Sequence, residues 1–190
     1  SARLKIEKEL LDDLKYTKVI VISSGKGGTG KSTLALNLSI DLCQKGKKVL
    51  LFDADLGLAN IDIMLGLMPK YNLYHVVTGK KTIQDITIST DNGLDIIPGG
   101  SCIYELANLS QDRLKNILVQ LGKLDGMYDY MIIDTGAGLS ESVVTFLLAG
   151  DDVIIVTTPE PTSITDAYGI VKHLSKNKFA GTIYLVVNRV

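Results

Sequence analysis

The stretch Lys18-Val-Ile-Val-Ile-Ser-Ser-Gly-Lys-Gly-Gly-Thr-Gly-Lys-Ser-Thr33 decides the fold: an apolar run passes into a glycine-rich turn, and the turn into a helical pattern. Within it, Gly25 to Ser32 fits the spacing G-x-x-x-x-G-K-[ST], and a β run ending at Ser23 with a helix from about Lys31 is the context that this spacing requires. Glycines let the main chain wrap closely with its N–H groups turned inward, and the helix N-terminus adds its dipole, so a polyphosphate meets many fixed donors. Lys31 is expected to reach the β and γ oxygens and Ser32 to ligate magnesium, with Thr33 in the same helical turn. Gly25, Lys26, Gly27, Gly28, Thr29, Gly30, Lys31, Ser32 and Thr33 are therefore the predicted nucleotide contacts.

Outward from this loop, apolar β-type runs at Lys18 to Ser23, Val49 to Phe52, Leu94 to Ile97, Tyr130 to Ile133, Val153 to Thr157 and Ile183 to Val187 alternate with helical patterns. Helices are expected at about Lys31 to Lys45, Ile61 to Leu65, Tyr74 to Val77, Cys102 to Ala107, Asp112 to Leu121, Ser140 to Leu148 and Ser163 to Ser175. Asn72 to Gly93 reads as the loose stretch. Strands apolar throughout and separated by helices predict a three-layer α/β P-loop NTPase fold, a mainly parallel central sheet flanked by helices on both faces. Residues 1–16, charged with Leu4, Ile6, Leu10, Leu11 and Leu14 at helical spacing, read as an amphipathic lead-in, and 17–190 as the P-loop domain. The chain opens with Ser1-Ala2 and stops at Val190 directly after an apolar run, which predicts a domain trimmed at its C-terminus.

Three carboxylates stand where such a sheet aims its ligand crevice. Asp134 ends the run Tyr-Met-Ile-Ile-Asp, the Walker B position, and the Thr-Gly-Ala-Gly after it suits a mobile phosphate-sensing loop. Asp53 and Asp55 leave the second strand two residues apart, so both point to one side if strand geometry persists. One of them can support hydrated magnesium while the other orients an attacking water.

Composition narrows the rest. The 190 residues are 46% hydrophobic and 22% charged, the profile of one globular domain, and a net charge of -1 sets up no overall field for nucleic acid or an anionic membrane. Cys43 and Cys102 form no metal or redox pair, and no apolar run reaches the length of a membrane span or a signal peptide, which predicts a cytoplasmic protein. His75 and His173 lack partners at metal spacing and read as surface histidines, and Lys45, Lys47 and Lys48 complement a helix C-terminus.

Taken together, the second lysine of Lys26-Gly-Gly-Thr-Gly-Lys-Ser, the segment Asp53-Ala-Asp-Leu-Gly-Leu-Ala-Asn-Ile-Asp62, Asp134-Thr-Gly-Ala-Gly138 and Thr157-Thr-Pro-Glu-Pro-Thr-Ser-Ile-Thr-Asp-Ala-Tyr168 resemble the deviant-Walker ATPases of the MinD/ParA superfamily over essentially the whole chain, and within it the FlhG/FleN flagellar regulators. The resemblance implies an ATP- and Mg2+-dependent homodimer, two protomers face to face, with Lys26 reaching the partner's nucleotide. It also implies that Asp55 positions the lytic water, that Asp53 and Asp134 support magnesium through its waters, and that Asn188 contacts adenine. Asp151 is implied to pair with Lys26 while no dimer exists, and the strand of Asp134 to lie beside the strand that feeds the loop.

The resulting expectation is an ATP-hydrolysing dimerisation switch that regulates flagellar number or placement, or the division-septum site, with an activating protein partner. The FlhG group usually carries a glutamine-containing N-terminal activator segment and a C-terminal amphipathic membrane-targeting helix, and this sequence shows neither. Membrane contact is thus expected only through a C-terminal helix outside these residues, peripheral to the inner membrane. The competing functions are a DNA-binding partition ATPase, which needs a basic stripe, a metal-cluster carrier, which needs shared cysteines, and an amide ligase, which needs an acid pocket. Nucleic acid is not a predicted partner.

Overall fold

The computed structural model describes residues 16–100 and 103–190. Its elements run β1 (Lys18–Ser24), α1 (Lys31–Gln44), β2 (Val49–Ala54), α2 (Ile61–Met64), α3 (Leu73–Val77), α4 (Ile83–Ile86), β3 (Ile88–Ser89) and β4 (Leu94–Ile97). They continue through α5 (Tyr104–Ala107), α6 (Gln111–Gly122), β5 (Tyr130–Ala137), α7 (Glu141–Ala149), β6 (Asp152–Thr157), α8 (Pro161–Lys176) and β7 (Thr182–Val187). The seven strands form one sheet in the order β3-β4-β2-β5-β1-β6-β7, parallel except for the antiparallel β3–β4 pair.

Strand periodicity explains the three layers. Leu50, Phe52, Met131, Ile133, Val153 and Ile155 point to one face, where Leu114 and Ile117 of α6, Phe146 of α7 and Ile170 of α8 cover them. Val49, Leu51, Ile132, Ile154 and Val156 point to the other and meet Ala35 and Leu36 of α1 and Ile61 of α2. Both faces being dry is what makes the inner strands apolar throughout, whereas the edge strand β7 is largely exposed. The sheet order also puts β5 beside β1, as the resemblance implied, in a register that sets Ile22 against Asp134.

The expected elements all occur, with ends shifted by a residue or two except in β5, which runs four residues beyond Ile133 to Ala137. Asn72 to Gly93 also differs, for it is built and not loose. Asn72 and Thr82 cap α3 and α4 with their side chains, and Ile88 and Ser89 pair with β4. α3 is the helix expected at Tyr74 to Val77, whereas α4 and β3, four and two residues long, are too short for periodicity to reveal. The amphipathic lead-in lies, apart from Tyr16, outside the described residues, as do Cys102 and the expected start of the helix that reaches Ala107. Cys43 is a half-buried thiol on α1, and among the described residues no helix is long and apolar enough to cross a membrane.

The packing of α7 on the sheet rests on Phe146, fully buried with its ring edge-on to Phe52 at 5.5 Å between centroids. Phe146→Ala leaves a cavity that neighbours cannot fill and is expected to cost about 3–5 kcal/mol, read as a lowered urea midpoint with an unchanged slope.

Candidate functional site

At the carboxyl edge of the sheet, the turn after β1 is shaped by two glycines in the left-handed region, Gly28 at φ 76° and Gly30 at φ 96°. Gly25 has no room for a Cβ, because the backbone of Asp166 in α8 lies against it. The loop is thereby pressed between α1 and α8. α1 starts at Lys31 with neither a side-chain cap nor an acidic residue in its first turn, so its dipole and N–H groups face an open cleft of about 660 Å³. Gly27, Lys31, Ser32, Asp55, Gly136 and Arg189 are among the residues that line it.

Lys31 is the positive centre of this cleft, its ammonium 3.5 Å from Oδ2 of Asp55. Asp134 is 1% exposed, and its Oδ1 has no hydrogen-bond partner among the described residues. Burial raises its pKa to about 6, against the opposing pull of the Lys31 charge and the Ser32 hydroxyl. An unpaired carboxylate oxygen beside a hydroxyl and an open polar cleft fits a hard cation such as magnesium, with Ser32 and Asp134 as the residues that could hold it. Among the described residues no cluster of three or more His, Cys, Asp or Glu could hold a metal. Such an ion would accordingly take its remaining oxygens from phosphate and water, as magnesium does in phosphate sites.

Asp53 is placed differently from Asp55, although both leave β2. It is 1% exposed and is the register partner of Asp134. Its Oδ2 accepts the backbone N–H groups of Asn60 and Ile61, each at 2.9 Å, and its Oδ1 accepts that of Asp55 at 3.3 Å. Asp55 instead stands in the cleft, its Oδ1 3.3 Å from where a Cβ on Gly136, near the end of β5, would sit, a tight approach to which the Asp55 side chain would have to yield.

The implied pairing of Lys26 with Asp151 is not what the structure holds. Asp151 precedes β6, at the amino edge of the sheet, and accepts the N–H of Val19 at 2.8 Å. Lys26 is at the carboxyl edge, a strand's length away, and its ammonium meets Glu160 at 2.6 Å and the Thr162 hydroxyl at 3.5 Å. That hydrogen bond holds the Glu160 carboxyl below its usual pKa. Glu160 precedes Pro161, the first residue of α8, a helix start legible in Thr-Pro-Glu-Pro but not read as part of the site. Asn188, just past β7, donates from Nδ2 to the carbonyl of Thr29 at 2.9 Å, and its own N–H bonds Thr157. It lies against the phosphate-type loop, beside Gly30.

A family model described as an AAA domain matches residues 17–180. The septum site-determining protein MinD from Pyrococcus horikoshii, in a structure complexed with Mg-ADP, superposes with a TM-score of 0.80 at 33% identity, over 91% of this chain and 70% of that one. The chain belongs to the MinD/ParA superfamily. Within the superfamily it is 42% identical over 188 residues to the flagellum site-determining protein YlxH of Helicobacter pylori, covering 98% of this chain and 63% of that protein. It is 38% identical over 160 residues to the antiactivator FleN of Pseudomonas aeruginosa, covering 84% of this chain and 57% of that protein. The chain thus spans about three fifths of the length of these curated relatives, 63% and 57%. The P-loop α/β fold expected from the sequence is the fold this MinD/ParA chain has.

The buried Asp53 gives a pH dependence with a definite sign. Burial raises its pKa from 3.8 to about 7, so the folded chain keeps a proton that the unfolded chain releases above about pH 4. The stability this contributes is complete below the unfolded value and is lost as pH rises through about 7. Urea midpoints of the nucleotide-free protein should fall across that window, and Asp53→Asn, with no proton to lose, should show a shallower fall.

Proposed function

We propose that this chain is the ATP-binding and ATP-hydrolysing domain of a MinD/FlhG-type dimerisation switch that governs flagellar number or placement, or the division-septum site. The observation that carries the reading is the convergence on one cleft of an uncapped helix N-terminus, Lys31, Ser32 and Asp55, with the buried Asp134 beside Ser32. The flagellar branch is favoured by the higher identity to YlxH and FleN, 42% and 38%, than to curated MinD proteins, 33% to 36%.

In this reading the loop from Gly25 to Thr33 wraps the phosphates with backbone N–H groups, and Lys31 leaves Asp55 to meet the β and γ oxygens. Magnesium, when bound, would offset the charge that develops on the phosphate oxygens. Ser32 and Asp134 hold it. Asp55, released from Lys31, accepts a hydrogen bond from the attacking water and orients it. Phosphoryl transfer to water asks little covalent chemistry of a protein, so positioning supplies most of the rate. Lys26 leaves Glu160 and reaches the nucleotide of a second copy across a face-to-face dimer, which couples nucleotide state to assembly. Asn188, already against the loop, is suited to the adenine edge. An activating protein partner completes the cycle.

Three substitutions separate these roles. Lys31→Ala should abolish ATP binding in calorimetry, because backbone donors alone do not neutralise the β and γ oxygens; unchanged affinity would refute the loop assignment. Asp55→Ala should bind ATP at least as tightly as the wild type, since a negative charge beside Lys31 is gone. It should also lose most of its turnover and accumulate as the ATP-bound dimer in sedimentation. Lys26→Ala should bind ATP yet neither dimerise nor hydrolyse it; normal assembly of this variant would leave Lys26 a surface charge paired to Glu160.

A further inference from the structure

Asp53 and Asp55 look equivalent in sequence, but the three hydrogen bonds of Asp53 all go to the loop that carries Asp55. One carboxylate oxygen accepts the N–H groups of Asn60 and Ile61, at the far end of that loop, and the other accepts the N–H of Asp55, at its near end. The side chain of Asn60, which occupies the cap position of α2, makes no capping bond, so Asp53 does that work from the adjoining strand. Between the two ends, Leu58 N–H closes a turn on the carbonyl of Asp55 at 3.1 Å. Below, Gly99 leaves no room for a Cβ beside the carbonyl of Asp53, so the strand end is pinned by packing. Asp53 itself is 1% exposed, whereas the Asp55 side chain is 23% exposed and opens to the cleft.

We propose that Asp53 is a positioning residue: its carboxylate clamps both ends of the 55–60 loop and so fixes Asp55 at the nucleophile side of the cleft. The oxygens of Asp53 face backbone donors, and its contribution to turnover runs through Asp55 and not through a magnesium-bound water. The inference rests on the reading of Asp55 as the water-orienting group. In Asp53→Asn the amide oxygen can still meet Asn60 and Ile61, but its NH2 group opposes the N–H of Asp55, two donors face to face. The loop end nearest the catalytic carboxylate is thereby loosened.

The test is a double-mutant cycle on turnover with Mg2+ titrated in each variant. Asp53→Asn should reduce kcat roughly ten- to hundred-fold, the cost of a misplaced group. Its KM for ATP and its half-saturating Mg2+ should stay within about two-fold of wild type, with no recovery of kcat at high Mg2+. Added to Asp55→Ala, the same substitution should change kcat no further. A raised Mg2+ requirement, rescue by Mg2+, or a full additional loss on the Asp55→Ala background would overturn the proposal. Wild-type turnover in Asp55→Ala alone would instead sink the water-orienting role on which it rests. Hydrogen exchange in the nucleotide-free protein gives a readout independent of catalysis. The amides of Asp55, Asn60 and Ile61 should exchange at least about ten-fold faster in Asp53→Asn while those of residues 30–36 keep their rates. Uniform acceleration, or none, contradicts the clamp. Should Asp53→Asn not fold, Asp53→Ser, whose hydroxyl can cap one end of the loop but not both, is put through the same exchange measurement with the same expectation.

Discussion

Parallel pairing of β5 between β1 and β2 is the constraint on which the site depends. Neighbouring strands are about 4.8 Å apart, and parallel strands deliver their carboxyl ends to one edge. The register sets Ile22 opposite Asp134 and Asp134 opposite Asp53, so the glycine turn and the Asp55 loop begin beside the last residues of β5, Thr135 to Ala137. The inner strands β2, β5, β1 and β6 are covered on both faces, which leaves the loops at their ends as the place where charged chemistry can be put. α1 and α8 then hold the glycine turn from two sides, one by continuing it and the other by packing on Gly25.

The electrostatics follow from that crowding. Three carboxylates and one lysine occupy the start of the cleft, and two of the acids are buried to 1% exposure. Burial of an ionised carboxylate is unfavourable unless donors or cations compensate, and the two acids are compensated differently. Asp53 receives three backbone N–H groups, while Asp134, beside Ser32, keeps a buried oxygen without a partner among the described residues. The first arrangement builds a rigid loop and the second leaves capacity for an incoming cation. Lys31 shares its charge between Asp55 and Asp134, and Lys26 is likewise held by Glu160. Both lysines therefore begin in contacts that an anionic ligand can exchange at little electrostatic cost.

Much of this was legible in the residues themselves. The Gly25 to Ser32 spacing located the cleft, and the run of strands apolar on both faces gave the parallel three-layer sheet, because each signal has a single strong physical cause. Of the short elements between Asn72 and Gly93, α4 and β3 escaped, since a capping side chain and a two-residue pairing leave no periodic trace. Partner choice escaped as well. Which acid meets Lys26 depends on the edge of the sheet at which each loop emerges, and Asp151 and Glu160 sit at opposite ends of β6 and its flanks. The division of labour between Asp53 and Asp55 is likewise invisible in a two-residue spacing: it is set by where the backbone of Asn60 and Ile61 returns, seven and eight residues later.

The central claim, that the carboxyl edge of this sheet binds magnesium-ATP through the loop after β1, is tested most directly by hydrogen exchange of the wild-type chain with and without saturating Mg-ATP. The account predicts protection concentrated in the amides of residues 25–33, with smaller effects at 55–60 and 134–138 and none at the amino edge around Thr17, Asp125 and Asp151. Protection at the amino edge, or saturation by nucleotide with no change in residues 25–33, would contradict it.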